Sequence, residues 1–216
     1  MEFKEVMNAR HSVRCFKDEE VPTEVLEDIV RIAGRTPSWE NSQPWNVYIA
    51  TGETLAKIRQ VWVAKYADKV KGSPDMPTGH RTNFSERSQK SMEDFMGQVA
   101  DYAGDPEIVH FLNMNERLFD APALVYLTLG KGHTEWPVYD LGSFGMALML
   151  AAKDAGVDSI PAYEIVKYPA ELRPLPGVPE DEDIVMGIAL GCASDDDLNG
   201  LASTRLPLGD ILTIRK

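Results

Sequence analysis

Between Pro137 and Ala155 the chain carries a helical pattern that is small and apolar almost all round. A helix without a polar face has to be enclosed, because each exposed apolar side chain forfeits the free energy of leaving water. Gly142, Ser143, Gly145 and Ala147 allow another backbone to approach closely along this segment. The chain has 216 residues, 44% of them apolar, which suffices for a substantial core. Enclosing such a helix on every side within so short a chain is harder. A second subunit is the natural cover, so the pattern predicts a homodimer.

The rest of the chain reads as alternating helices and strands. Phe3, Val6 and Met7 share one face of a short N-terminal helix that ends near Arg10. Pro22 and Thr23 start a second helix, whose stripe of Val25, Leu26, Ile29, Val30 and Ala33 stops at Gly34. Trp45 to Ala50 alternates as a strand, and Leu55, Ile58, Val61 and Trp62 mark a third helix. Gly72 to Gly79 breaks all periodicity and reads as a surface loop. Helical, charge-rich patterns follow from Ser85 to about Ala103 and from Pro106 to Phe119. Ala123 to Leu129 is a continuous apolar run, the signature of a central strand buried on both faces. Asp183 to Gly191 is a further strand, and Ile211 to Ile214 a last short one. No Gly/Ser-rich linker divides the chain. The expected architecture is α+β, one domain over 1–216 with a sheet flanked by helices, and 66–113 as a variable lid or excursion.

The net charge of −12 disfavours nucleic acid and anionic membranes as partners. Two cysteines, Cys15 and Cys192, without Cys-x-x-Cys spacing, suit a reducing compartment, and no signal-peptide pattern opens the chain. A cytoplasmic location is expected. Cys15 beside Arg14 raises the possibility of an activated thiol, against the plainer reading of a half-buried one. His11, His80, His110 and His133 are scattered, so no metal site is expected; Gly-x-Ser-x-Gly and Gly-x-Gly-x-x-Gly are also absent from the sequence.

Against this acidic background, Arg10-His11-Ser12-Val13-Arg14 concentrates two guanidinium groups and a hydroxyl, donors suited to a phosphate. A helix's length later, Pro37-Ser38-Trp39-Glu40-Asn41-Ser42-Gln43-Pro44-Trp45 sets amides and hydroxyls between two proline-aromatic corners, able to read the edge of a planar heterocycle.

In this order the two strings resemble the nitroreductase family of FMN-dependent oxidoreductases. The resemblance continues through Leu141 to Gly145, Gly156 to Pro161, Met186 to Gly191 and Ser203 to Pro207, with 66–113 the least similar. It implies a nitroreductase-like fold, a mostly antiparallel sheet flanked by helices in an intertwined homodimer. It implies FMN as cofactor, NADPH or NADH as cosubstrate, and a small electron-poor acceptor such as a nitroaromatic or quinone. Arg10, His11, Ser12, Arg14 and Arg205 fall on its phosphate and ribityl contacts. Pro37, Ser38, Trp39, Asn41 and Gln43 fall on its flavin loop, with Asn41 arriving from the second subunit. Asn115 matches a position reading the pyrimidine edge. Pro161, Ala162, Tyr163 and Glu164 lie where backbone runs along the flavin, the Tyr163 N–H near N5. No catalytic side chain is implied. Trp39, Phe84, Trp136 and Tyr163 are candidates for the acceptor pocket. The alternatives are a specialised flavoenzyme of the same fold, either a reductive dehalogenase or a flavin-degrading enzyme, and a non-catalytic flavin-binding protein.

Overall fold

The computed structural model describes the backbone of residues 1–216 and all side chains except those of 103–109. The helices and strands are α1 (Phe3–Ala9), α2 (Thr23–Ala33), β1 (Trp45–Ala50), α3 (Gly52–Ala67), α4 (Glu86–Glu116), β2 (Ala123–Gly130), α5 (Glu135–Asp154), β3 (Asp158–Pro161), α6 (Pro169–Leu172), β4 (Glu182–Gly191) and α7 (Leu208–Ile211). The strands form one antiparallel sheet in the order β1-β2-β4-β3.

The apolar run in β2 is buried from Ala123 to Leu129, as expected for a central strand. Side chains alternate between the two faces, so one run feeds two cores. Leu124 and Tyr126 join Leu55, Ile58 and Trp62 of α3 on one face. Ala123, Val125, Leu127 and Leu129 join Leu26 and Ile29 of α2, and Leu141, Phe144 and Leu148 of α5, on the other. On that second face Trp45 stacks on Phe144 with ring centroids 4.8 Å apart. Gly145 brings α5 onto the sheet, for a Cβ there would lie 3.3 Å from Leu127 Cδ1.

Several expectations are revised. The two helical stretches after Ser85 are one helix, α4. Of the N-terminal face only Val6 is buried; Phe3 and Met7 are exposed. The chain from Ile211 to Ile214 forms no strand: one turn of α7 ends at Ile211 and the tail runs on exposed. A strand needs an edge to pair with, and this tail meets none within its own chain. The short strand β3 completes the sheet at its other edge. The 72–79 segment is a loop, yet it is pinned, because Asp75 accepts from Arg173 at 2.7 Å and from the Ile184 N–H at 2.9 Å.

Among the described residues no helix is long and apolar enough to cross a membrane.

Helix α5 itself is not apolar throughout. Asp140 is buried, and its carboxylate accepts from the Trp39 N–H at 3.0 Å. Leu141, Phe144, Gly145, Leu148, Met149 and Ala152 face the core, but Tyr139, Gly142, Ser143, Met146 and Leu150 form an open or half-open stripe at helical spacing.

Candidate functional site

The end of α1 and the C-terminal segment converge on a cleft of about 330 Å³ lined by Arg10, His11, Ser12, Met146, Ser203 and Arg205, with Met7 and Asn8 at its edge. Arg10 caps the C-terminal end of α1. Its pKa lies below the usual arginine value, chiefly because burial removes water and secondarily because Arg205 faces it. Two like charges share the cleft, and neither has a carboxylate partner among the described residues. Arg205 braces itself on the Ser203 and Thr204 carbonyls and on Ser203 Oγ, at 2.8–2.9 Å. Such a pair is relieved by an anion set between the two guanidinium groups.

Met146 belongs to this cleft and also to a second, smaller recess of about 200 Å³. That recess is apolar, walled by Leu127, Gly142, Gly145, Pro161, Met186 and Ile188 among others. One groove therefore has a cationic end and an apolar end. This polarity fits a ligand made of a phosphate and an uncharged aromatic ring system, and the donors present fit FMN.

The remaining candidates are distributed differently. Arg14 does not enter the cleft. Its guanidinium is buried, donates to the carbonyls of Ser12 at 2.9 Å and Leu201 at 3.3 Å, and lies 5.3 Å from the Phe111 ring centroid. Burial lowers its pKa. Asn199 holds this turn from afar, its Oδ1 accepting from the backbone N–H groups of Arg14 at 2.8 Å and Cys15 at 3.1 Å. His11 is held between the carbonyl oxygens of Ala9 and Asn199, at 3.0 and 2.9 Å. No local motif signals Asn199, which lies 185 residues from Arg14. Cys15 is not activated: burial first, and Asp196 next, push its thiol up to about 12. Iodoacetamide at neutral pH is accordingly expected to leave Cys15 unmodified in the folded protein, checked by peptide mass mapping, because alkylation requires the thiolate.

The 37–43 loop sits elsewhere. Glu40, Asn41 and Gln43 all adopt positive φ, at 47°, 60° and 44°. Backbone this strained persists only where surroundings enforce it, and it concentrates at ligand sites. The enforcing bonds are Trp39 N–H to Asp140 and Gln43 N–H to Ser38 Oγ, the latter at 2.9 Å. Asn41 and Gln43 are exposed, as is Pro37, so their polar groups are presented outward. Asp140 lies six residues before Met146, about 9 Å along the helix axis. Within one chain the loop therefore flanks the start of α5, and none of its residues lines the Arg10 cleft. Asp140 is the residue that sequence reasoning missed here; a lone aspartate inside an apolar helix was its signal.

At the far end of the groove, Pro161 ends β3 and lines the apolar recess. Ala162 donates to the Gly187 carbonyl at 3.0 Å, and the 3-10 turn Tyr163–Val166 follows. The first N–H groups of such a turn have no acceptor within it, which leaves that of Tyr163 available. The Glu164 side chain turns away into a pocket with Tyr66 and Lys167, while its carbonyl accepts from Trp62 Nε1 at 2.9 Å. Asn115, half-buried near the end of α4, lines neither the cleft nor the recess. The four aromatic candidates separate: Trp39 and Trp136 pack together at 5.1 Å, Tyr163 borders a recess with Gly72 and Pro77, and Phe84 borders a cleft between α4 and the tail.

The model of the nitroreductase family matches residues 7–192. Chloronitrobenzene nitroreductase of Comamonas testosteroni is 29% identical over 221 residues, covering 97% of this chain and 95% of the relative. Nitrobenzene nitroreductase of Ectopseudomonas oleovorans is 29% identical over 218 residues, covering 97% and 95%. The crystal structure of the FMN-dependent nitroreductase NfnB from Mycobacterium smegmatis, in complex with NADPH, superposes with a TM-score of 0.91 at 25% identity, covering 99% of this chain and 97% of that one. With 186 of 216 positions inside the family match, the chain belongs to the nitroreductase family.

Proposed function

We propose that this chain is an FMN-dependent oxidoreductase that takes hydride from NADPH or NADH and reduces small nitroaromatic or quinone-like acceptors, and that it acts as a homodimer. The observation that carries the reading is the groove itself, whose cationic pocket of Arg10 and Arg205 runs through Met146 into the apolar recess at Pro161. When bound there, FMN supplies a hydride acceptor and donor at N5. This chain's residues do the holding and shaping. Arg10 and Arg205 neutralise the phosphate, and Gly142, Pro161 and Met186 offer apolar surface to the ring. Tyr163 presents its N–H from a turn that β3 and the Glu164–Trp62 bond keep in place.

Three features of a single chain support the homodimer. The Tyr139, Gly142, Ser143, Met146 and Leu150 stripe lies open beside the groove. The tail exposes Leu206, Leu208, Ile211, Leu212 and Ile214. The edge strand β1 and helix α2 leave a shallow apolar trough along Leu26, Val30, Val47 and Ile49. A second copy covers these surfaces and brings its own 37–43 loop, with Asn41, to the groove. The segment 66–113, which carries α4 up to Asn113, serves as the variable cover over the site.

Anaerobic stopped-flow mixing with NADPH tests the redox reading: bound flavin is expected to bleach, and nitrobenzene to restore its colour. Flavin that neither nucleotide bleaches marks a non-catalytic binding protein. Restoration by a halogenated phenol but not by nitrobenzene marks a dehalogenase, and consumption of the flavin itself marks a flavin-degrading enzyme. The dimer is tested separately. Tyr139 is exposed on the open stripe and lines neither the cleft nor the recess, so Tyr139→Arg leaves the fold and the flavin groove of one chain intact and is expected to lower dimerisation in sedimentation equilibrium, with flavin content falling only as the dimer is lost. A wild-type monomer that retains flavin at micromolar concentration overturns the dimer.

A further inference from the structure

Cys15, His110 and Asp196 come from three distant parts of the chain, yet Sγ, Nε2 and a carboxylate oxygen lie within 4.8 Å of one another. Neither the proposed flavin groove nor its redox chemistry uses them. Sγ is 4.0 Å from His110 Nε2, which is 2.8 Å from Asp196 Oδ2. Around a tetrahedral zinc ion, bond lengths of about 2.3 Å to sulfur and about 2.0–2.1 Å to nitrogen or oxygen set S···N near 3.5 Å and N···O near 3.3 Å. The Sγ···Nε2 separation is about 0.5 Å longer and the Nε2···Oδ2 separation about 0.5 Å shorter than these edges, so binding an ion requires the His110–Asp196 hydrogen bond to open and the imidazole to move toward Cys15. We propose that Cys15, His110 and Asp196 form a binding site for a divalent cation of the zinc class, completed by water.

Several features suit that role. The three groups are a soft sulfur, an imidazole and a carboxylate, a mixture that favours zinc over magnesium or calcium. The side chains of His110 and Asp196 are 37% and 27% exposed, which gives a cation an entry path and room for a water ligand. Supporting bonds fix two of the ligands. Asn199 Nδ2 donates to the Cys15 carbonyl at 2.7 Å, and Asp196 Oδ1 accepts from the Leu198 N–H at 2.9 Å, so Oδ2, which is hydrogen-bonded to His110 Nε2 at 2.8 Å in this metal-free chain, is the oxygen an ion takes by displacing that bond. The charged neighbours of Cys15 besides Asp196 are Arg14, Arg117 and Asp120. Arg117 and Asp120 pair with each other at 3.0 Å, and the Arg14 guanidinium is held on the Ser12 and Leu201 carbonyls, so the positive charge a cation meets there is that of Arg14, set against the carboxylate of Asp196 and the thiolate formed on binding. The thiol, held protonated by burial, loses its proton to solvent as the metal binds, while the imidazole binds through Nε2 with its hydrogen on Nδ1. The bound ion would tie the N-terminal segment behind Arg14 to α4 and to the turn Asp197–Gly200.

The test uses the purified flavoprotein, exposed to micromolar zinc, passed into metal-free buffer and analysed by atomic emission. Cobalt is the spectroscopic probe, read through its ligand-field bands at wavelengths beyond the flavin absorption. The wild type is expected to retain one zinc per chain and to give the tetrahedral thiolate-cobalt spectrum. Cys15→Ser is expected to weaken zinc by more than the roughly 10- to 100-fold typical of losing only a supporting group. Asp196→Asn preserves the cap on Leu198 and is expected to weaken zinc as well, so a folding failure in one variant does not remove the test. Circular dichroism and flavin content verify the fold of each. A wild type that retains no zinc, or a folded Cys15→Ser that retains as much as the wild type, overturns the site. Either result leaves the flavin reading untouched.

Discussion

Alanine at Arg10 or Arg205 is expected to weaken FMN binding by about 1.5–3 kcal/mol each, the size of a hydrogen bond to a charged group. The double variant is expected to lose more than either single one, up to the sum of about 3–6 kcal/mol, or roughly 150-fold and upward in affinity, with any shortfall measuring the coupling of two guanidinium groups on one dianion. The expectation follows from the cleft, where Arg10 and Arg205 face each other without a carboxylate among the described residues and Arg10 is held below its usual pKa by burial and by its neighbour. Lysine replacements restore charge but not the planar fork, so they recover affinity only in part. Arg14→Ala serves as the contrast. Its guanidinium binds the Ser12 and Leu201 carbonyls from inside the protein, so its loss is expected to lower stability together with flavin affinity. Flavin fluorescence titration measures the affinities, and urea denaturation the stability. Unchanged affinity in both the Arg10 and Arg205 variants would remove the phosphate from this cleft.

Trp62→Ala is expected to cost about 3–5 kcal/mol of folding stability, the range for deleting a large buried aromatic. Trp62 is fully buried between α3 and the sheet, packs edge-on against Tyr168 at 5.2 Å, and donates Nε1–H to the Glu164 carbonyl at 2.9 Å. The bond matters to the site because Glu164 sits in the turn that presents the Tyr163 N–H. Trp62→Phe keeps most of the volume and strands the carbonyl, so it separates the two contributions. A loss of about 1–3 kcal/mol is expected from it, with slower reduction of bound flavin by NADPH. Equal stability for the wild type and both variants in urea would contradict the packing described here.

Where sequence reading succeeded, the signal was periodic or local. The stripe of α2 and the continuous run of β2 place their residues as the structure does, because each pattern reports which faces must leave water. Of the Arg10 to Arg14 string the structure sets Arg10, His11 and Ser12 on the cationic cleft, and of the Pro161 to Glu164 string it sets Pro161 on the apolar recess. Long-range polar contacts were invisible. Asn199 on the Arg14 turn, Asp140 under Trp39 and Asp75 on Arg173 each depend on a partner brought close only by the fold. The division of labour between Arg10 and Arg14 was invisible too. Four-residue spacing suggested a shared target, but the chain leaves α1 at Arg10 in an extended conformation, and Arg14 turns inward.

By itself, then, the sequence determined the α+β alternation, the central position of β2, the core-facing residues of α2 and α3, and the likeness of six ordered strings to one family, all of which depend on local composition and spacing. Only the tertiary structure decided that Arg205 faces Arg10, that Met146 joins a cationic cleft to an apolar recess, and that Ile211 to Ile214 has no strand to pair with in its own chain. The apolar helix illustrates both halves. Composition required cover for every side of α5, and packing assigned Gly145 to the sheet while leaving Gly142 open. The physical reason is that burial is demanded residue by residue, whereas the surface that satisfies it is chosen by the assembled fold.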